Sequence, residues 1–70
     1  MAVEITFHVN SSKGLLPIKI TVEDYASAEE AKEDALKKGL RKDLSEDGKN
    51  IEAYFPPLSI IQIDFVSLEN

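Results

Sequence analysis

Two stretches near the amino terminus alternate between apolar and polar residues. In VEITFHV, residues 3–9, every odd position is apolar, and in LPIKITV, residues 16–22, the branched apolar residues occupy the even positions. A period of two is typical of strands with one buried face. The turn-forming NSSKG lies between them, so the two stretches predict an antiparallel hairpin. Pro17 cannot donate a ladder hydrogen bond, which suits an edge strand or the first residues of a strand.

The pattern changes to a helical period in SAEEAKEDALKKG, residues 27–39. Ser27 and Glu30 have the spacing of a capping box, and Gly39 stands where a helix would end. Alanines recur every three to four residues and give this helix a smooth face that can lie close to a sheet. The polar segment RKDLSEDGKN, residues 41–50, predicts a loop.

The carboxyl-terminal third, with NIEAYFPPLSIIQIDF, combines apolar alternation with two prolines. Residues 51–55 predict a third strand and residues 60–65 a fourth, with the odd positions of the fourth facing the core. A two-residue turn built from prolines is excluded, because the favoured types need positive φ. A four-residue loop over 56–59 is allowed and predicts a rigid hairpin. The alternative is one long strand bent at the prolines.

The order of these elements resembles the β-grasp fold. The VEITFHV and LPIKITVE hairpin, the alanine-lined helix and the closing NIEAYF and IIQIDFV pair are similar in layout to the small immunoglobulin-binding domains of proteins G and L, and more distantly to ubiquitin. The resemblance implies an α+β fold with a four-stranded mixed sheet in the order 2-1-4-3 and one helix packed on one face. Its first and last strands would be central and parallel. The diglycine tail of ubiquitin-like carriers is absent, which argues against a carrier role.

Composition limits the function classes. Seventy residues form a single domain, 1–70, and cysteine is absent. The net charge of −5 disfavours a nucleic-acid partner. The start MAVEITFHV lacks the basic region of a signal peptide, and no apolar run reaches the ~18 residues of a membrane span. We therefore expect a soluble, cytoplasmic protein that binds neither nucleic acid nor membrane.

Catalytic equipment is sparse in this sequence. His8 is the only histidine, and its place on the polar face of the first strand predicts a solvated residue. One histidine without cysteine does not supply the three or four ligands of a zinc site. No glycine-rich phosphate loop is present, and the carboxylates of the helix lie on an exposed face. We expect a non-enzyme without metal or cofactor.

Apolar and aromatic residues at one edge of the predicted sheet suggest a protein-interaction function. Either the long loop and the carboxyl-terminal tail cover these side chains, or they contact another chain, including a second copy in a homodimer. The residues that would form this contact are Tyr54, Phe55, Leu58, Ile60 and Val66.

Two other functions stay open at this point. The acidic helix face could occupy the nucleic-acid groove of a partner, as an inhibitor of phage or mobile-element type would, through Glu29, Glu30, Glu33 and Asp34. Immunoglobulin binding is implied only by the layout shared with proteins G and L, and layout does not transfer function.

Overall fold

The computed structural model describes residues 1–43 and 52–68 of the chain, which form a small α+β fold. In chain order the elements are β1 (Ala2–Ser11), β2 (Gly14–Val22), α1 (Tyr25–Lys38), β3 (Leu40–Asp43), β4 (Glu52–Phe55), a short 3-10 helix (Pro57–Ser59) and β5 (Ile60–Leu68). The part of the predicted loop that spans residues 44–50, and Ile51 of the predicted third strand, lie outside the described residues.

The described strands form two antiparallel sheets. The main sheet has the order β2-β1-β5, and the second sheet is the pair β3-β4. The predicted four-stranded mixed sheet in the order 2-1-4-3 is therefore wrong. The first and last strands are neighbours, as predicted, but they run antiparallel, and β5 lies at an edge. The extra strand β3, which overlaps the predicted loop at residues 41–43, pairs with β4 and adds one chain reversal before β5 begins.

The amino-terminal hairpin is confirmed. β1 and β2 pair antiparallel across a two-residue turn that Ser11 and Gly14 close. The Ser11 hydroxyl accepts from the Lys13 N–H at 3.2 Å and donates to the Gly14 carbonyl at 2.7 Å, so it stabilises the turn locally. Among the described strands β2 pairs only with β1, which agrees with the edge position predicted from Pro17.

The helix begins earlier than the capping box predicts. The Asp24 carboxylate accepts the Ser27 backbone N–H at 2.8 Å, so Asp24 is the N-cap and Ser27 lies inside the first turn. At the other end, the predicted stop at Gly39 is confirmed: this residue has a φ of 83° and donates its N–H to the Ala35 carbonyl at 2.8 Å. A φ of this sign explains the glycine.

The prolines join two strands that belong to different sheets. Pro57–Ser59 form the 3-10 helix, which the Ser59 N–H closes on the Pro56 carbonyl at 2.9 Å. Because β4 pairs with β3 and β5 with β1, the predicted hairpin between the third and fourth strands is wrong. The Phe55–Pro56 peptide bond is trans. The prolines therefore fix the path by which the chain leaves the small sheet for the main one.

A single apolar core lies between the main sheet, α1 and the small sheet. The odd positions of β1 face it, as predicted, and the alanines of α1 pack against them. β3 and β4 each contribute one buried side chain to this core, Leu40 and Phe55. The buried core residues are Val3, Ile5, Phe7, Val9, Ile18, Ala28, Ala35, Leu40 and Phe55.

A β-bulge near the start of β5 changes which residues face this core. Val9 pairs with Ile60 and His8 pairs with Gln62, so Ile61 is the extra residue of the bulge. Ile60 packs against the core, whereas Ile61 is 58% exposed. The predicted inward position of Ile61 is wrong for this reason. The inward positions of Ile63 and Phe65 are confirmed.

Candidate interaction site at the edge of the main sheet

The five residues predicted to form an interaction patch do not lie on one surface. Phe55 is only 8% exposed and belongs to the core, and Ile60 packs against that core. Tyr54 is half exposed, and its hydroxyl donates to the Lys38 carbonyl at the end of α1 at 2.8 Å. This hydroxyl holds β4 against the helix end.

The other two residues of the predicted patch lie just before β5 and within it. Leu58, in the 3-10 helix just before this strand, is 98% exposed, and Val66 is 48% exposed. Val66 is paired with Glu4, so it lies on the face of the main sheet opposite the core. Ile61, exposed by the bulge, is the apolar residue that sequence reasoning missed. We define the β5 edge as the side of β5 turned away from β1, together with Leu58, Ile61 and Val66.

The register of the hairpin shows which backbone groups point outward on this edge. Ser11 and Gly14 close a two-residue turn and form a hydrogen-bonded pair, and antiparallel pairs then alternate in type along the ladder. Three pairs further on, Pro17 opposite His8 is a non-hydrogen-bonded pair, the type that suits a residue without N–H. His8 therefore turns its own N–H and C=O toward β5.

The same alternation continues across β5. Since His8 faces Gln62 as a hydrogen-bonded pair, Gln62, Asp64 and Val66 direct their backbone groups to β1. The residues between them direct theirs away, and no described strand pairs with that side. The outward N–H and C=O groups belong to Ile63, Phe65 and Ser67.

One flank of α1 borders the β5 edge. The rings of Tyr25 and Phe65 lie 5.5 Å apart, and the Lys32 ammonium is 5.9 Å from the centre of the Phe65 ring. Leu36, one turn beyond Lys32 on the same flank, is 48% exposed. The 3-10 helix that carries Leu58 also packs against α1. Exposed apolar side chains thus follow the edge along the helix side.

A polar cluster lies on the opposite face of the sheet. His8 Nε2 is 2.7 Å from Asp64 Oδ2, and the Gln62 amide donates to the same carboxylate at 3.0 and 3.2 Å. The hydrogen bond from Gln62, and then that from His8, lower the pKa of Asp64. His8 is half-buried and paired, where the sequence predicted a solvated residue; the pair depends on strand register, which the sequence does not reveal.

The acidic face of α1 is partly neutralised by its own lysines. Glu29 lies 2.9 Å from the Lys32 ammonium, and Asp34 lies 3.5 Å from Lys38. The Glu29 hydrogen bond and charge raise the pKa of Lys32. Glu30 and Glu33 make no ion pair within the described part of the chain. A shallow, open depression beside Glu30 is lined by Ser27, Glu30, Ala31 and Asp34.

Residues 1–43 and 52–68 contain no group of three histidine, aspartate or glutamate side chains that could hold a metal ion. Within the same ranges no helix has both the length and the apolar character that crossing a bilayer requires. Comparison with family models, with curated proteins and with solved structures finds no match to this chain. Function is therefore inferred from the geometry.

Proposed function

We propose that this chain is a small, acidic, non-catalytic protein-association domain that binds an extended segment of another chain along the β5 edge. The observation that carries the proposal is the outer side of β5, a nine-residue strand that has no described neighbour there. Unpaired backbone N–H and C=O groups in a row are a template for an added strand. These unpaired backbone groups therefore favour a partner that contributes an extended backbone segment.

The contrast between the two edges of the main sheet supports this choice. The β2 edge is blunted by Pro17, and it also carries the charge of exposed Lys19. These are devices by which proteins discourage pairing at an edge. β5 contains no proline, and Asp64 is its only charged residue. Exposed Leu58, Ile61 and Val66 add apolar surface beside it.

The geometry of His8 supports the non-catalytic part of the proposal. Within the described residues its imidazole has one hydrogen-bond partner, Asp64, and no hydroxyl or ammonium group lies in hydrogen-bonding reach of it. General-base catalysis with a protein nucleophile needs that second contact. The hydrogen-bonded cluster of His8, Gln62 and Asp64 therefore links β1 to β5.

The acidic helix remains an alternative binding surface for a partner that normally holds nucleic acid. Two of its four acids are already paired with lysines of the same helix, and no observation favours this surface over the β5 edge. The layout shared with proteins G and L no longer supports immunoglobulin binding, because the first and last strands of this chain run antiparallel.

Capture from an extract of the source cell with immobilised variants tests the proposal. Ile61→Lys places a charge on the β5 edge, and Leu15→Lys places the same charge at a similarly exposed apolar site on the other edge strand. A third variant reverses the charges of Glu29, Glu30, Glu33 and Asp34. We expect specific partners to be lost with Ile61→Lys and retained with the other two. Partners lost only with the charge-reversed helix would contradict the proposal.

A further inference from the structure

We infer that the partner at the β5 edge is a second copy of this chain, joined through antiparallel β5 strands about a two-fold axis. This inference rests on the proposed function and specifies its partner. A two-fold axis perpendicular to the sheet pairs the outward backbone groups of β5 with the same groups of the copy. The two main sheets then become one continuous six-stranded sheet with both helices on the same side.

The sequence of β5 distinguishes the registers that this symmetry allows near the middle of the strand. Centring the axis on Asp64 places two carboxylates directly opposite each other, which is destabilising. Centring it on Phe65 places each Asp64 opposite a Val66. Centring it on Ile63 places each Asp64 opposite Gln62 of the second copy. The third register is the one without a polar mismatch.

The Ile63-centred register also uses the exposed side chains. It brings Ile61, the bulge residue, level with Phe65 of the second copy, so this 58% exposed side chain lies within the new strand pairing. The two symmetric Gln62 and Asp64 contacts extend the polar cluster that His8 already joins. Self-pairing thus brings Ile61 into the interface and leaves no like charges opposed.

The distribution of charge along the chain also permits two copies to associate through β5. The chain carries a net charge of −5, which opposes association of two copies in general. β5 contributes one acid in nine residues, so repulsion is weak there. The flank of α1 that borders β5 carries Tyr25, Leu36, Lys32 and one acid, Glu29, whose carboxylate is paired with the Lys32 ammonium at 2.9 Å.

Light scattering across a wide concentration range tests the inference on the full chain. We expect twice the 7.8 kDa chain mass at high concentration and dissociation on dilution. Ile61→Lys should give a monomer, with circular dichroism confirming that it is folded, and Leu15→Lys should still form the dimer. A wild type that is monomeric throughout the range, or a dimer that Ile61→Lys leaves intact, would overturn the inference.

The register has its own matched pair of variants. Gln62→Glu sets two carboxylates opposite Asp64 of the second copy and should weaken self-association about five-fold, from two unfavourable cross-strand pairs. Leu15→Glu adds a negative charge on the same sheet face at β2, opposite the uncharged Asn10, and should leave association nearly unchanged. Equal effects of the two variants would contradict the Ile63-centred register.

Failure of self-pairing and failure of the proposed function are separable. A monomeric wild type that captures partners sensitive to Ile61→Lys keeps the function and overturns the homodimer. A monomeric wild type whose captured partners are all insensitive to Ile61→Lys overturns both. A dimer that Ile61→Lys dissolves supports both.

Discussion

The imidazole Nε2 of His8 lies 2.7 Å from Oδ2 of Asp64, although 56 positions separate the two residues in the chain. The pair exists because β1 and β5 are antiparallel neighbours in which Thr6 faces Asp64 and His8 faces Gln62. Gln62 holds the same carboxylate from within β5. The cluster therefore ties the last strand to the first just beyond the bulge, where the register shifts.

Acidification should weaken the cluster of His8, Gln62 and Asp64, because it protonates the Asp64 carboxylate. Its pKa in the folded chain is lowered, first by Gln62 and then by His8, so its stabilising contribution is complete above the unfolded value of about 3.9 and is lost as pH falls through the lower folded pKa. Asp64→Asn should therefore reduce stability at neutral pH and flatten the loss of stability below about pH 4. Thermal unfolding at a series of pH values measures both effects.

Glu30→Gln is the control for this experiment. It removes one negative charge from an exposed helix position that has no ion pair among the described residues. Gln62→Ala should give an intermediate profile, because it removes the first of the two hydrogen-bond donors. Parallel profiles for wild type and Asp64→Asn between pH 2 and 5 would show that the pair contributes nothing to acid stability.

Of Gly14 and Gly39, the two glycines that the structure describes, Gly39 should be the less replaceable. It combines a φ of 83° with a ψ of −171°, and a Cβ there would meet the Phe55 carbonyl and lie 2.9 Å from the Tyr54 ring. Gly39→Ala should destabilise the fold by at least about 2 kcal/mol, from backbone strain and overpacking together. Chemical denaturation measures the change.

Gly14→Ala separates the two causes. Gly14 also has positive φ, 102°, but a Cβ there would meet nothing within 4 Å. Gly14→Ala should lower the free energy of unfolding by less, about 1 kcal/mol, because backbone strain acts there without overpacking. Equal losses at Gly14 and Gly39 would argue against the close approach of β4 to the end of α1.

The position of the helix cap gives a third prediction. Asp24 accepts the Ser27 N–H, and that hydrogen bond lowers the Asp24 pKa. Asp24→Ala should lower the melting temperature by several degrees, whereas Glu30→Ala should change it little, since Glu30 does not cap the helix. A larger decrease in melting temperature for Glu30→Ala than for Asp24→Ala would support the capping box predicted from the sequence.

The bulge predicts a difference between two adjacent isoleucines. Ile60 packs against the core, and Ile61 is mostly exposed. Ile60→Ala should destabilise the monomer by about 2 kcal/mol, and Ile61→Ala by less than about 0.5 kcal/mol. Both are measured by denaturation at concentrations below self-association. A larger loss at Ile61 would mean that β5 pairs without the bulge.

Local patterns predicted the elements that depend on local physics. The alternation of β1, the hairpin with Pro17 at an edge, the alanine face of α1 and its end at Gly39 are all present. Each depends on side-chain periodicity or on a residue with a restricted or permissive backbone. The predicted helix start was wrong, because Asp24, three residues before Ser27, caps the helix.

Topology and site could not be predicted in the same way. Leu40–Asp43 form a strand because β4 offers a partner for pairing. The sequence did not predict this strand, because a stretch of four residues carries little periodic signal. That pairing placed β5 at an edge and reversed its direction relative to β1. The bulge at Ile61 and the His8–Asp64 pair follow from register, which pairing sets and composition does not reveal. The candidate site moved from the predicted patch to β5 for this reason.

Amide hydrogen exchange along β5 tests the central claim most directly. The even-numbered residues 62, 64 and 66 turn their N–H groups to β1 and serve as internal controls within the same strand. We predict that the amides of Ile63 and Phe65 exchange slowly at concentrations where the chain is associated and rapidly on dilution, while the controls stay protected. Rapid exchange of these two amides at every concentration, in a sample that light scattering shows to be dimeric, would mean that the chain associates through another surface.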